Sequence, residues 1–137
     1  MVRTAIYFAL VGMLTWGVWA VFADLATRTL APEVAMAISY VVGVGVAIAY
    51  IAVQSDPVSL SGSGVAFAVA GGVFSGIGSI SYYAALQRGN TAIATTVTAL
   101  YFVVAAVLGV LFLGDSVDLR DLAGIGLAIG AVALLAT

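Results

Sequence analysis

Five apolar runs separated by short polar breaks organise the chain. The hairpin over residues 91–135 shows the pattern most plainly. An uncharged apolar run from Thr91 to Gly114 is followed by a turn holding Asp115, Asp118, Arg120 and Asp121, and a second apolar run reaches Leu135. A helix rises 1.5 Å per residue, so about 20 apolar residues cross a hydrocarbon core of about 30 Å. Only helices and closed barrels satisfy their own backbone groups there. The pattern predicts five membrane helices at about residues 5–23, 34–53, 65–86, 91–113 and 119–135, in a single unit over residues 1–137.

The breaks between the runs carry helix-end chemistry. Ala31-Pro32-Glu33 starts the second helix, because proline is tolerated in a first turn and a carboxylate there complements the helix dipole. The polar segment 54–64, with Asp56, Pro57, four serines and two glycines, separates the second and third helices. Gln87-Arg88-Gly89-Asn90 is a tight turn in which Gly89 or Asn90 can take the left-handed conformation. Asp118 stands just before Leu119, where its carboxylate can accept from the free amides of a helix start.

Composition fixes the class. Of 137 residues, 64 % are hydrophobic and 7 % charged, and the mean hydropathy is +1.26. Soluble domains carry about 25 % charged residues, so this chain cannot cover a water-facing surface. It is expected to be an all-α, multi-pass integral membrane protein, with the lipid bilayer as its first partner. Cys 0 and His 0 leave no disulfide framework and no ordinary zinc or haem site, so no metal or cofactor is expected. A net charge of −2 without a Lys/Arg cluster sets nucleic acid aside. No paired carboxylates, nucleophile with base, or phosphate loop points to an enzyme. The first run has the charge and length of a leader peptide, but the equally apolar remainder favours a retained helix. Met1 and the finish after the fifth run favour a whole unit over half of a longer chain.

Topology follows from the count. Arg3 and Arg120 fall on one side of the membrane and Arg28 and Arg88 on the other, while the serine-rich loop adds neither Lys nor Arg. The positive-inside rule reads this difference, and it is two against two. The N-terminal amine favours an N-in arrangement. The alternative is dual topology, in which copies insert both ways and pair antiparallel, rebuilding an inverted repeat from two chains. Small residues four apart suit close helix packing: Gly72 and Gly76, Ala105 and Gly109, Gly126 and Gly130. Packing within the chain is favoured over a dimer contact for each.

The remaining polar and aromatic residues lie at helical spacing. Trp16 suits pocket lining or core packing, whereas Trp19 suits interfacial anchoring. Ser75, Ser79 and Tyr82 or Tyr83 share one face, and Thr91, Thr95, Thr98 and Phe102 another, with Tyr101 beside it. Serine and threonine can instead bond the carbonyl one turn back. Asp24 is the sole candidate for a coupling carboxylate, and a solvated interfacial charge paired with Arg28 is the favoured reading of it. The residues chosen to contact a solute are Trp16, Tyr83, Thr95, Thr98 and Tyr101, with Ser39 and Tyr40 second.

Trp16-Gly17, the segment Tyr82-Tyr83-Ala84-Ala85-Leu86-Gln87-Arg88-Gly89, and Leu113-Gly114-Asp115 followed by Gly124 and Gly130 resemble one EamA-type repeat of the drug/metabolite transporter superfamily. The likeness spans essentially the whole chain. It implies a five-helix unit, one half of an inverted-repeat exporter of small metabolites, with a central aromatic-lined cavity, in a prokaryotic plasma membrane. One unit is present, so a second copy, or an oppositely oriented paralogue, is implied as partner. Asp115 stands where the family commonly has glutamate, Phe102 where it has proline, Ser39 where it often has arginine, and Asp24 near the place of a lysine. The missing proline argues against a kinked fourth helix. The missing cations argue for a neutral, zwitterionic or lipophilic cationic solute. The rival readings are a small-multidrug-resistance-like efflux pump, which departs from this chain in helix number and in its deep carboxylate, and a non-transporting membrane scaffold or partner subunit.

Overall fold

A computed structural model describes residues 2–54 and 58–135. Its elements are all helical: α1 (Val2–Thr27), α2 (Pro32–Val53), α3 (Gly62–Arg88), α4 (Thr91–Ala99), α5 (Tyr101–Leu108), a π-helical turn (Gly109–Leu113) and α6 (Leu119–Leu135). Asp56 and Pro57 of the polar break lie outside the described residues. Where the apolar pattern predicts five crossings, four helices among the described residues are long and apolar enough: Thr4–Thr27, Pro32–Val53, Gly62–Arg88 and Thr91–Leu113. The 17 residues of α6 span ~26 Å, short of a core of about 30 Å.

The chain forms two compact units, residues 1–88 and 89–137. In the first, α1, α2 and α3 pack on one another. Their buried residues sit at one end, where α1 finishes, α2 begins and α3 finishes: Ala20, Ala23, Thr27, Ala35, Tyr82, Tyr83 and Leu86. Towards their other ends the three helices are bare. A Cβ added at Gly43, Gly45, Gly71 or Gly72 would meet nothing within 4 Å. In the second unit α4 packs against α6.

Helix ends follow the local sequence, with three corrections. First, α1 runs on to Thr27, so Asp24 lies within it; the turn tightens through Thr29 N–H to Ala26 O at 3.2 Å and Leu30 N–H to Ala26 O at 2.9 Å, and Ala31, held extended before Pro32, ends it. Second, neither Gly89 nor Asn90 is left-handed. Asn90 is extended and caps α4, its Oδ1 accepting from Ala92 N–H at 2.8 Å. Among the described residues the left-handed one is Gly114, with φ 75°, closing the π-helical turn.

The third correction concerns the fourth span. It is interrupted at Leu100 despite having no proline. Leu100 N–H turns to Val97 O at 3.1 Å and Val103 N–H to Leu100 O at 2.9 Å, bonds three residues apart that tighten the helix locally. The threonine-rich turn before it supplies a cause. Thr96 Oγ1 donates to Ala92 O at 2.7 Å, and such back-bonding bends helices. At the start of α6, Asp118 acts as predicted. Its Oδ1 accepts from the amides of Arg120 at 2.8 Å and Asp121 at 2.9 Å, while Asp121 Oδ2 accepts from Asp118 N–H at 3.0 Å.

Candidate functional site

The polar side chains of the first unit converge in two adjoining clusters. The first lies where the three helices are closest. Trp19 of α1 stacks on Tyr82 of α3 at 5.4 Å and meets Tyr83 edge-on at 5.7 Å, and the two tyrosines are themselves edge-on at 6.2 Å. Such offset and T-shaped pairs match the ring quadrupoles. The Tyr83 hydroxyl donates to Ser39 Oγ of α2 at 2.8 Å. Below the rings, Gln87 Nε2 donates to the carbonyl of buried Thr27 at 3.4 Å. With Tyr82 and Tyr83 buried against Trp19, the three helices are closed on one another at this end.

The second cluster is made of hydroxyls. Tyr40 Oη of α2 lies 2.7 Å from Ser75 Oγ and 2.6 Å from Ser79 Oγ, and 3.3 Å from the Ser75 carbonyl. Ser75 and Ser79 are one turn apart on α3, which lets one phenol reach both. Counted along the helices, Tyr40 is ~12 Å from the start of α2, and Ser79 and Ser75 are ~14 Å and ~20 Å from the end of α3. That is mid-depth in a core of about 30 Å. Tyr40 remains 38 % exposed. Three hydroxyls share three protons and spare acceptor positions, and no charged side chain lies in the helices at this level. The cluster can therefore hydrogen-bond a guest without presenting it a charge.

The sequence-chosen residues divide between the units. Ser39, Tyr40 and Tyr83 come together in the first. Trp16 is 65 % exposed and stays outside the ring cluster. The tryptophan that joins it is Trp19, expected from sequence to be an anchor; it lies one turn nearer the closed end of α1 than Trp16 and stacks on α3. Thr95, Thr98 and Tyr101 belong to the second unit, where Thr95 is half-buried and Thr98 and Tyr101 are exposed. Ser75 and Ser79 share a face by their spacing and are not among the residues chosen to contact a solute. They bond across to α2 rather than to their own helix, a choice that depends on a neighbour the sequence does not identify.

Asp24 is largely withdrawn, with its side chain 14 % exposed, and its Oδ2 accepts from Arg28 Nη2 at 2.8 Å and Nε at 3.2 Å. The small-residue pairs behave differently from one another. Among the described residues, a Cβ at Gly72, Gly76, Gly126 or Gly130 would meet nothing within 4 Å. Gly109 is buried against the Asp115 carboxylate, 2.5 Å from where a Cβ would stand, rather than against another helix. In the second unit an open cavity of about 640 Å³ lies between α5 and α6, walled by Phe102, Ala106 and Gly124 and rimmed by Asp115 and Arg120. Its rim is the charged turn, not mid-depth. Among the described residues no His, Cys, Asp or Glu side chains gather in threes as metal ligands.

The family model described as the EamA-like transporter family matches residues 3–137. No curated protein and no solved structure was found to match.

Proposed function

Because the chain belongs to the EamA-like transporter family, we propose that it exports a small organic solute by alternating access, as an antiparallel dimer of five-span units. Membership supports the coarser part: an integral, multi-pass membrane protein of a transporter family, embedded in lipid.

The observation that carries the proposal is the Tyr40, Ser75 and Ser79 hydroxyl cluster, uncharged, at mid-depth and beside a closed aromatic end. Midplane placement is where transporters of this general design hold solute. A neutral or zwitterionic solute, or a lipophilic cation, suits hydroxyls and rings without a fixed counter-charge. Trp16, and in the second unit Thr95, Thr98 and Tyr101, stay candidate solute contacts in this proposal. Asp24 remains the candidate coupling carboxylate.

Two observations support the second copy. The Lys/Arg count is balanced between the two sides. The spans are also thinly covered by their own chain: Val41 is 73 % exposed, Phe67 79 % and Phe74 76 %. In that dimer the glycine pairs 72/76 and 126/130 are the close-approach surfaces, with Ala105 and Gly109 beside them, and α6 is the fifth crossing.

Flux is tested by reconstituting the purified protein in liposomes and following radiolabelled neutral and zwitterionic amino acids and a lipophilic phosphonium cation. Saturable flux that falls in Tyr40→Phe is the expected result. No flux for the whole panel would favour the scaffold reading. Orientation is tested with Ser61→Cys and Thr29→Cys, one in each of two loops on opposite sides, labelled in intact cells by an impermeant thiol reagent. The native chain has Cys 0, so there is no background. Labelling of about half the molecules at each site is expected for dual topology. Complete labelling at only one site would remove the antiparallel homodimer.

A further inference from the structure

The aromatic and hydroxyl clusters meet on α2, where Ser39 belongs to one and Tyr40 to the other. On α3 the residue that faces this junction is Tyr83, which is 0 % exposed. Its ring packs on Trp19 of α1, and its hydroxyl reaches Ser39 of α2. One side chain thus ties both other helices to α3, by two different kinds of contact. Ring packing tolerates small shifts. A hydrogen bond weakens steeply once its distance and angle are lost.

The two partners of that bond are unequal. A helical serine released from it can bond the carbonyl one turn back, as Ser81 does to Ile77 O at 3.0 Å and Thr15 to Val11 O at 2.8 Å. Tyr83 has no such choice, because its phenol is too far from its own backbone. With the bond broken and the end still closed, its hydroxyl is buried without a partner. The state in which the bond is broken is therefore one in which the end has opened enough to wet Tyr83.

We propose that the Tyr83 to Ser39 hydrogen bond is the bolt of a gate at the closed end of α1, α2 and α3. Tyr83 and Ser39 are positioning residues that set how often that end opens to water. The proposal rests on the solute-site reading for what draws the bolt: a solute that takes Tyr40 from Ser75 or Ser79 moves α2 at the residue next to Ser39. The bolt itself needs no solute.

Its test uses the full-length protein in proteoliposomes without solute. Leu86→Cys, at a position 2 % exposed near the end of α3, reports opening through its labelling rate with a water-soluble maleimide; Ala23→Cys, at a position 3 % exposed, is the second reporter. Thr29→Cys, in the adjoining loop, is the control. Tyr83→Phe and Ser39→Ala are each expected to raise the labelling rate at either reporter roughly three- to tenfold, the worth of one such bond between membrane helices. Combining them is expected to add nothing, since both remove the same contact. Ser39→Thr restores the hydroxyl and with it the slow rate, and the Thr29→Cys rate stays constant throughout. Unchanged rates, additive effects, or Ser39→Thr labelling as fast as Ser39→Ala would each overturn the bolt. Slow-to-fast switching together with no liposome flux would keep the bolt and remove the solute reading.

Discussion

Truncating Tyr83 to alanine removes, among the described residues, the one large side chain that is fully buried. In a soluble core such a change costs about 3–5 kcal/mol, part of it lost transfer of apolar surface from water and part the void left behind. A bilayer separates those parts. Helices that come apart there stay in hydrocarbon, so the ring is not returned to water and the transfer part falls away. What remains is packing on Trp19 and Tyr82, at 5.7 Å and 6.2 Å between ring centroids, and the 2.8 Å bond to Ser39. A void on the order of 80 Å³, at about 24 cal/mol per Å³, costs roughly 2 kcal/mol. The hydroxyl bond adds about 0.5–1 kcal/mol. The expected losses are therefore ~2–3 kcal/mol for Tyr83→Ala and ~0.5–1 kcal/mol for Tyr83→Phe. Equilibrium unfolding in mixed detergent micelles measures both, with Trp16→Phe as background so that fluorescence reports Trp19 alone. A Tyr83→Ala loss below about 1 kcal/mol, or equal losses for the two variants, would show that the ring cluster does not hold the helices.

Tyr40→Phe is expected to change stability by less than about 1 kcal/mol, because Ser75 and Ser79 can bond the carbonyls one turn back; liposome flux should nevertheless fall about fivefold, the worth of one hydrogen bond to solute. Gly114→Ala is expected to cost ~1–2 kcal/mol in micelle unfolding, since φ is 75° there. Gly124→Ala, with open space around its Cβ, should stay within about 0.5 kcal/mol. Asp118→Ala should cost ~1 kcal/mol, and hydrogen exchange at the Arg120 and Asp121 amides should speed up, with Asp118→Asn close to wild type.

Apolar run length alone located α1, α2, α3 and the span Thr91–Leu113, because in hydrocarbon a backbone must bond to itself and a long uncharged run leaves helix as the answer. Local chemistry likewise placed Pro32 at the start of α2 and Asp118 at the start of α6, since a cap is made among residues a few places apart. Ser39, Tyr40 and Tyr83 stand out in the sequence as polar or aromatic residues within apolar helices, but nothing along the chain pairs them. Whether Ser75 and Ser79 turn to their own helix or to Tyr40 costs nearly the same locally, and the approach of α2 decides it. The same approach separates Trp19, held in the ring cluster, from Trp16, left bare three residues earlier. The break at Leu100 had no proline to announce it and shows only once the backbone is followed bond by bond. Sequence thus determined the long apolar helices and the caps at Pro32 and Asp118, which depend on neighbours along the chain. The tertiary structure alone decided which faces meet, because the same polar side chain has two nearly equal partners until another helix arrives.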